Sequence, residues 1–120
     1  MTPFTIREEP EALVVTIEEP AALNDFRSNA FRESLYEAVQ GNLENRVALD
    51  LGRVDFLSSS GVAILVGLKR RLDLKKGKLV IFQVHPVVQD LLRITRLSQY
   101  FAFAGDEQEA LTALRPLPAI

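Results

Sequence analysis

The chain has 120 residues, of which 48% are apolar and 25% charged, and its formal net charge is −2. That is one domain's worth of globular sequence with enough apolar residues for a core without staples, and the acid–base balance argues against a dedicated nucleic-acid binder. With no Cys and a single His, His85, disulfide frameworks, Cys-ligated zinc, iron–sulfur clusters, Cys nucleophiles and multi-His metal sites are excluded.

Phe4 to Glu8 alternates apolar and polar residues, the period of a half-buried strand. Glu9-Pro10-Glu11 interrupts it, and the β-branched run Leu13 to Ile17 reads as its hairpin partner, ended by Pro20. Asn24 or Asp25 is suited to cap a helix, whose apolar face is Phe31, Leu35, Ala38 and Val39, with Gly41-Asn42 as its C-cap. Val47 to Leu51 is a third strand ended by Gly52. After Ser58-Ser59-Ser60-Gly61 a helix is expected from about Val62 to Lys76, buried over its first two turns and stopped by Gly77. Leu79 to Phe82 reads as an inner strand covered on both faces. Pro86 opens a helix with Val87, Val88, Leu91, Leu92 and Thr95 as its inner stripe. Tyr100 to Phe103 is a short last strand. Asp106 with Glu109 resembles a capping box for a final helix that buries Ala110, Leu111 and Leu114 and ends at Pro116 and Pro118.

The order β-β-α-β-α-β-α-β-α argues an α/β fold with a mixed central sheet and helical crossovers. One domain over residues 1–120 is expected, ordered from about 4 to 115. Acids outnumber bases ten to four over residues 1–50, and bases outnumber acids nine to three over residues 51–100. A fold that interleaves these segments cancels much of the asymmetry. The longest apolar run, Val62 to Leu68, is far below the roughly 20 residues of a membrane-spanning helix. Residues 1–9 have neither a basic nor an apolar signal region. A soluble cytoplasmic protein without membrane insertion is expected.

The stretch Val47 to Gly61 reads V-A-L-D-L-G-R-V-D-F-L-S-S-S-G. It resembles the signature of the STAS domain, the fold of bacterial anti-sigma-factor antagonists: a V-L-D-L strand, an apolar dipeptide, D-S-S-G or D-S-T-G, and an apolar helix. The layout is similar over nearly the whole chain. The resemblance implies a non-enzymatic signalling module that binds an anti-sigma factor which is also a serine kinase. Aligned on Gly61, Ser59 takes the phosphoacceptor position and Ser60 the second hydroxyl position, while Ser58 stands where the family has Asp. Phosphorylation of Ser59 would end binding, and a metal-dependent serine phosphatase would restore it. The implied contact surface comprises Ser58, Ser59, Ser60, Gly61, Val62, and Asn24 and Asp25 of the loop bordering the site. An alternative is a constitutive, unphosphorylated scaffold subunit of a transporter ATPase or stress-signalling complex.

Other chemistry has less support. No Walker-type or G-x-G-x-x-G loop occurs, so no nucleotide cofactor is expected. No G-x-S-x-G elbow accompanies His85, which weighs against a serine hydrolase. The basic run Lys69 to Lys78 ends a helix, where cations complement the dipole, and reads as a solvated face. Asp50, in the L-D-L strand, is expected to be structural or to face the partner.

Overall fold

The computed structural model describes residues 3–25, 29–40 and 45–115. Their elements are β1 (Phe4–Glu8), β2 (Leu13–Ile17), α1 (Pro20–Asn24), α2 (Asn29–Gln40), β3 (Arg46–Asp50), α3 (Ser59–Leu74), β4 (Lys78–Phe82), α4 (Pro86–Ile94), β5 (Ala102–Ala104) and α5 (Glu107–Leu114). Among the described residues the strands form one mixed sheet in the order β1-β2-β3-β4-β5. The β1–β2 pair is antiparallel, with Phe4 opposite Ile17, and the other pairs are parallel.

Successive side chains of a strand point to opposite faces, and the register aligns them across the sheet. Val14, Ala48 and Val80 lie in one row and Val15, Leu49 and Ile81 in the next. The first row meets Ala110, Leu111 and Leu114 of α5. The second meets Leu23 of α1, Leu35 of α2, Leu65 of α3 and Val88 of α4. One helix therefore covers one face and four cover the other. The parallel strands β2, β3, β4 and β5 deliver the starts of α1, α3, α4 and α5 to one edge of the sheet, where ligand and partner sites of such sheets form.

Several expectations are corrected. Pro20 ends β2 but also opens α1 in its first turn, where a missing N–H is harmless. Asn24 closes α1, and Asp25 is its C-cap instead of the N-cap of the following helix. The alternation of β1 does not produce a buried face. Phe4 packs edge-on to Phe31 at 5.7 Å, but Thr5 to Glu8 are exposed on an edge strand whose Arg7 pairs with Glu9 and Glu107. These two carboxylates hold the Arg7 guanidinium above its usual range. On α4 only Val88 and Leu92 are fully inside, while Leu91 is half-buried and Val87 and Thr95 are exposed. The last strand begins two residues late, leaving buried Phe101 in the preceding turn. The expected C-cap at Gly41-Asn42 and the stop at Pro116 and Pro118 lie outside the described residues.

Helix α3 departs most from expectation. It starts at Ser59, three residues early, because the serines belong to its first turn. Ile64, Leu65, Leu68 and Leu72 are buried, but Val62 and Val66 are only half-buried and Ala63 is exposed. Its apolar start thus faces the core on one side and solvent on the other. At its end Lys76 takes the left-handed φ of 58°, and the Gly77 amide closes on the Leu72 carbonyl at 2.7 Å. The basic run is partly engaged. Lys69 pairs with Asp73 at 2.9 Å, and the Arg71 guanidinium lies 4.1 Å from the centre of the Tyr36 ring.

Tyr36 ties α2 to α3. Its buried hydroxyl donates to the Ile64 carbonyl at 2.9 Å. A Cβ on Gly67 would overlap that hydroxyl and stand 3.1 Å from Tyr36 Cζ, so Gly67 permits close approach of two helices. Burial raises the Tyr36 hydroxyl above its ordinary pKa of 10.0, against the opposing pull of Arg71 and Arg32. The folded state thus favours the neutral phenol. This contribution is complete below the unfolded value and is lost as pH rises through the higher folded one. Tyr36→Phe should cost about 1 kcal/mol in urea unfolding at neutral pH and should flatten the loss of stability toward pH ~11. Gly67→Ala should destabilise the wild-type chain more than the Tyr36→Phe chain. Equal costs in the two backgrounds would contradict this packing.

Candidate functional site

The segment between β3 and α3 lies along the edge where the parallel strands end. Leu51 N–H donates to the Phe82 carbonyl at 3.2 Å, extending the ladder by one residue. Asp50 accepts the Gly52 amide through Oδ1 at 2.8 Å, which gives Asp50 a structural role in closing the turn. A Cβ at Gly52 would stand 2.6 Å from Gln83 Oε1 and 3.0 Å from Asp50 Oδ1, so a side chain there would have to displace the exposed Gln83 amide. Val54 and Leu57 are buried and pin the segment from below. Asp55 is exposed, and so is Phe56, by 53%.

Ser58 is the N-cap of α3. Its backbone is extended (φ −78°, ψ 171°), and its Oγ accepts the Gly61 amide at 3.1 Å. The same hydroxyl donates to the Asn24 carbonyl at 3.0 Å, and the Ser58 amide donates to Asn24 Oδ1 at 2.8 Å. Asn24 Nδ2 in turn donates to the Phe56 carbonyl at 2.9 Å. The end of α1 is therefore fastened to both sides of Leu57. Gly61 is buried at this junction. A Cβ there would overlap Asn24 Oδ1 and come within 3.2 Å of Leu57 Cδ2. Gly61 and Gly67 thus serve close contacts of α3 with α1 and α2.

Ser59, the first residue of α3, is exposed, and Ser60 behind it is half-buried. Because Ser58 is the cap, Ser59 is not needed for that purpose. The N-terminal end of a helix carries partial positive charge from unpaired amides, so negative charge added at Ser59 is tolerated by the helix. Arg53 and Glu18, exposed and half-buried, pair at 3.1 Å. His85 caps α4, its Nδ1 accepting the Val87 amide at 3.1 Å. Among the described residues no group of three His, Asp or Glu side chains is arranged to hold a metal ion, and no helix is long and apolar enough to cross a membrane.

The structure thus brings Asn24, Ser58, Gly61 and, at their edge, Ser59, Ser60 and Val62 into one cluster. Asp25 is half-buried directly after Asn24. Sequence reasoning missed the part played by Asn24, whose side-chain amide is turned onto Ser58 and Phe56. It also missed the exposure of Phe56, since an apolar dipeptide before a helix gives no sign of which member is turned outward.

The mixed sheet and the Ser58-capped helix define an α/β domain of STAS type. A family model described as the STAS domain matches residues 3–110, and the chain belongs to that family. BtrV of Bordetella bronchiseptica, provisionally named an anti-sigma factor antagonist, is 32% identical over 72 residues, which span 60% of this chain and 62% of BtrV. The anti-sigma F factor antagonist of Paenibacillus polymyxa is 28% identical over 92 residues, 77% of this chain and 79% of that protein. An anti-sigma-factor antagonist (STAS) domain protein from Planctomyces limnophilus shares the fold, with a TM-score of 0.81 at 22% identity over 92% of this chain and 97% of that one.

The two neighbouring serines should separate in stability. Ser58→Ala removes the cap and the bond to α1, and should lower stability by about 1–2 kcal/mol. Ser59→Ala should stay within about 0.5 kcal/mol of wild type, as for other exposed positions. Urea unfolding of both variants checks the assignment, and the reverse ranking would overturn it.

Proposed function

We propose that this chain is an anti-sigma factor antagonist that works as a non-catalytic binding module in the cytoplasm. Unphosphorylated, it binds an anti-sigma factor that is also a serine kinase, and so frees the sigma factor. Phosphorylation of Ser59 ends that binding, and a metal-dependent serine phosphatase restores it. The names of the Bordetella and Paenibacillus relatives support the partner class.

The observation that carries the switch is the division of labour between Ser58 and Ser59. The cap is held by one hydroxyl and the exposed position by the next. A phosphate on Ser59 adds about −1.5 to −2 charge at neutral pH. A partner over this turn, in contact with Phe56, Ser59, Ser60, Val62 and the Asn24–Asp25 corner, must desolvate that charge. A loss of roughly 3 kcal/mol already weakens binding more than a hundredfold.

Ser59→Asp should leave the melting temperature nearly unchanged, since an acid in the first turn of a helix gains roughly 0.3–1 kcal/mol. It should weaken binding to the anti-sigma factor far more. Ser59→Ala should keep binding and abolish phosphorylation. Titration calorimetry of both variants against the purified partner decides the matter. Equal affinity for Ser59→Asp and Ser59→Ala would refute the switch and leave a constitutive scaffold.

A further inference from the structure

We infer that Asn24 is a positioning residue for Ser59 and that, by engaging Ser58, it reserves phosphorylation for Ser59. The inference rests on the reading of Ser59 as phosphoacceptor and adds what selects that hydroxyl from three consecutive serines.

The chemistry of the transfer sets the requirement. A serine Oγ forms a bond to the γ-phosphorus of a nucleoside triphosphate, and the bond from that phosphorus to its bridging oxygen breaks. The nucleoside diphosphate leaves with the electron pair, and the hydroxyl proton passes to a base of the kinase. The acceptor therefore needs a free lone pair and a proton that it can give up. In Ser58 the proton and one of the two oxygen lone pairs are already engaged. Its proton is directed to the Asn24 carbonyl at 3.0 Å and its oxygen receives the Gly61 amide at 3.1 Å. To react it must take its proton from the Asn24 carbonyl, the bond that ties this turn to the end of α1. An aspartate in its place could accept from Gly61 but could not donate to Asn24, so the hydroxyl at this position has a use of its own.

Asn24 maintains that arrangement. Its Oδ1 takes the Ser58 amide and its Nδ2 holds the Phe56 carbonyl, so the chain on both sides of Leu57 is pressed against the end of α1. Leu23, fully buried, anchors α1 in the core, and Gly61 leaves room for the Asn24 amide against α3. Without that amide the Ser58 hydroxyl and the Asn24 carbonyl are no longer held in register. Ser59, one residue on and exposed, is fixed in its presentation by the same contacts.

The test incubates the full chain with ATP, Mg2+ and a lysate of its native cells, then maps phosphate by fragment-ion mass spectrometry. Wild type should carry label on Ser59 alone. Asn24→Ala should label Ser59 several-fold more slowly and divert about a tenth or more of the label to Ser58. Its Ser58 amide should exchange with solvent roughly tenfold faster, while amides of α5 remain protected as in wild type. If Asn24→Ala does not fold, Asn24→Asp, which keeps the acceptor but loses the donor to Phe56, is judged by the same Ser58-to-Ser59 ratio. Label on Ser59 with unchanged rate and distribution in the variant overturns the inference and leaves the Ser59 reading standing. A wild-type chain with no label on Ser59, or with label on Ser58, overturns both.

Discussion

The hydrogen bonds between Asn24 and the Ser58 turn decide where α3 begins, and the surface of this domain depends on that. They join an element that follows β2 to one that follows β3, across neighbouring parallel strands. Because Ser58 satisfies the Gly61 amide, the helix needs nothing further from Ser59. Each such bond contributes only about 1 kcal/mol net. Their importance lies in geometry: they set which of three adjacent hydroxyls is structural and which faces solvent.

Bonds this weak can set geometry because hydrophobic burial holds the scaffold beneath them far more strongly. Leu23, Leu35, Leu49, Leu51, Leu65, Leu68 and Ile81 are fully buried beneath the face that carries the site. Each such side chain contributes roughly 1.5–3 kcal/mol by leaving water. Val54 and Leu57 extend this core up to the turn itself. A charge placed on Ser59 adds to the rim of an assembly whose stability is determined elsewhere. The groups exposed at this turn are in this way different from those that hold the fold, a condition for any modification that alters binding without unfolding the protein.

Much of this was legible in the sequence, and the exceptions have physical causes. The β-branched run Leu13 to Ile17, the stretch Val47 to Leu51 ended by Gly52 and the apolar run Leu79 to Phe82 located β2, β3 and β4, and the alternation with helices implied the mixed sheet. The serine turn was legible through its place between a strand and an apolar helix. Helix α1 was not, because Pro20 terminates a strand and starts a helix with the same missing N–H. The exposure of β1 was not, because an alternating pattern states that one face is more apolar but not that anything covers it. The outward side of α3 was misread because composition places Val62, Ala63 and Val66 alike in the core, whereas Ala63 is exposed and the two valines pack against the core only in part. Gly61 and Gly67 gave no hint of their partners, since a missing side chain records that something comes close and not what it is. Those contacts, to Asn24 and Tyr36, are tertiary.

Everything above requires that Ser59 can change charge while the Ser58 cap and the fold stay in place. Installing phosphoserine at residue 59 during synthesis and comparing amide spectra with the unmodified chain by NMR tests this most directly. Chemical-shift changes should be confined to the turn around residues 56–62 and the Asn24–Asp25 corner, with the amides of β2 to β5 and α5 unmoved and as slow to exchange as before. Shifts or loss of protection spread through the sheet would contradict it, for they would mean that residue 59 belongs to the structural core of the turn and not to its surface.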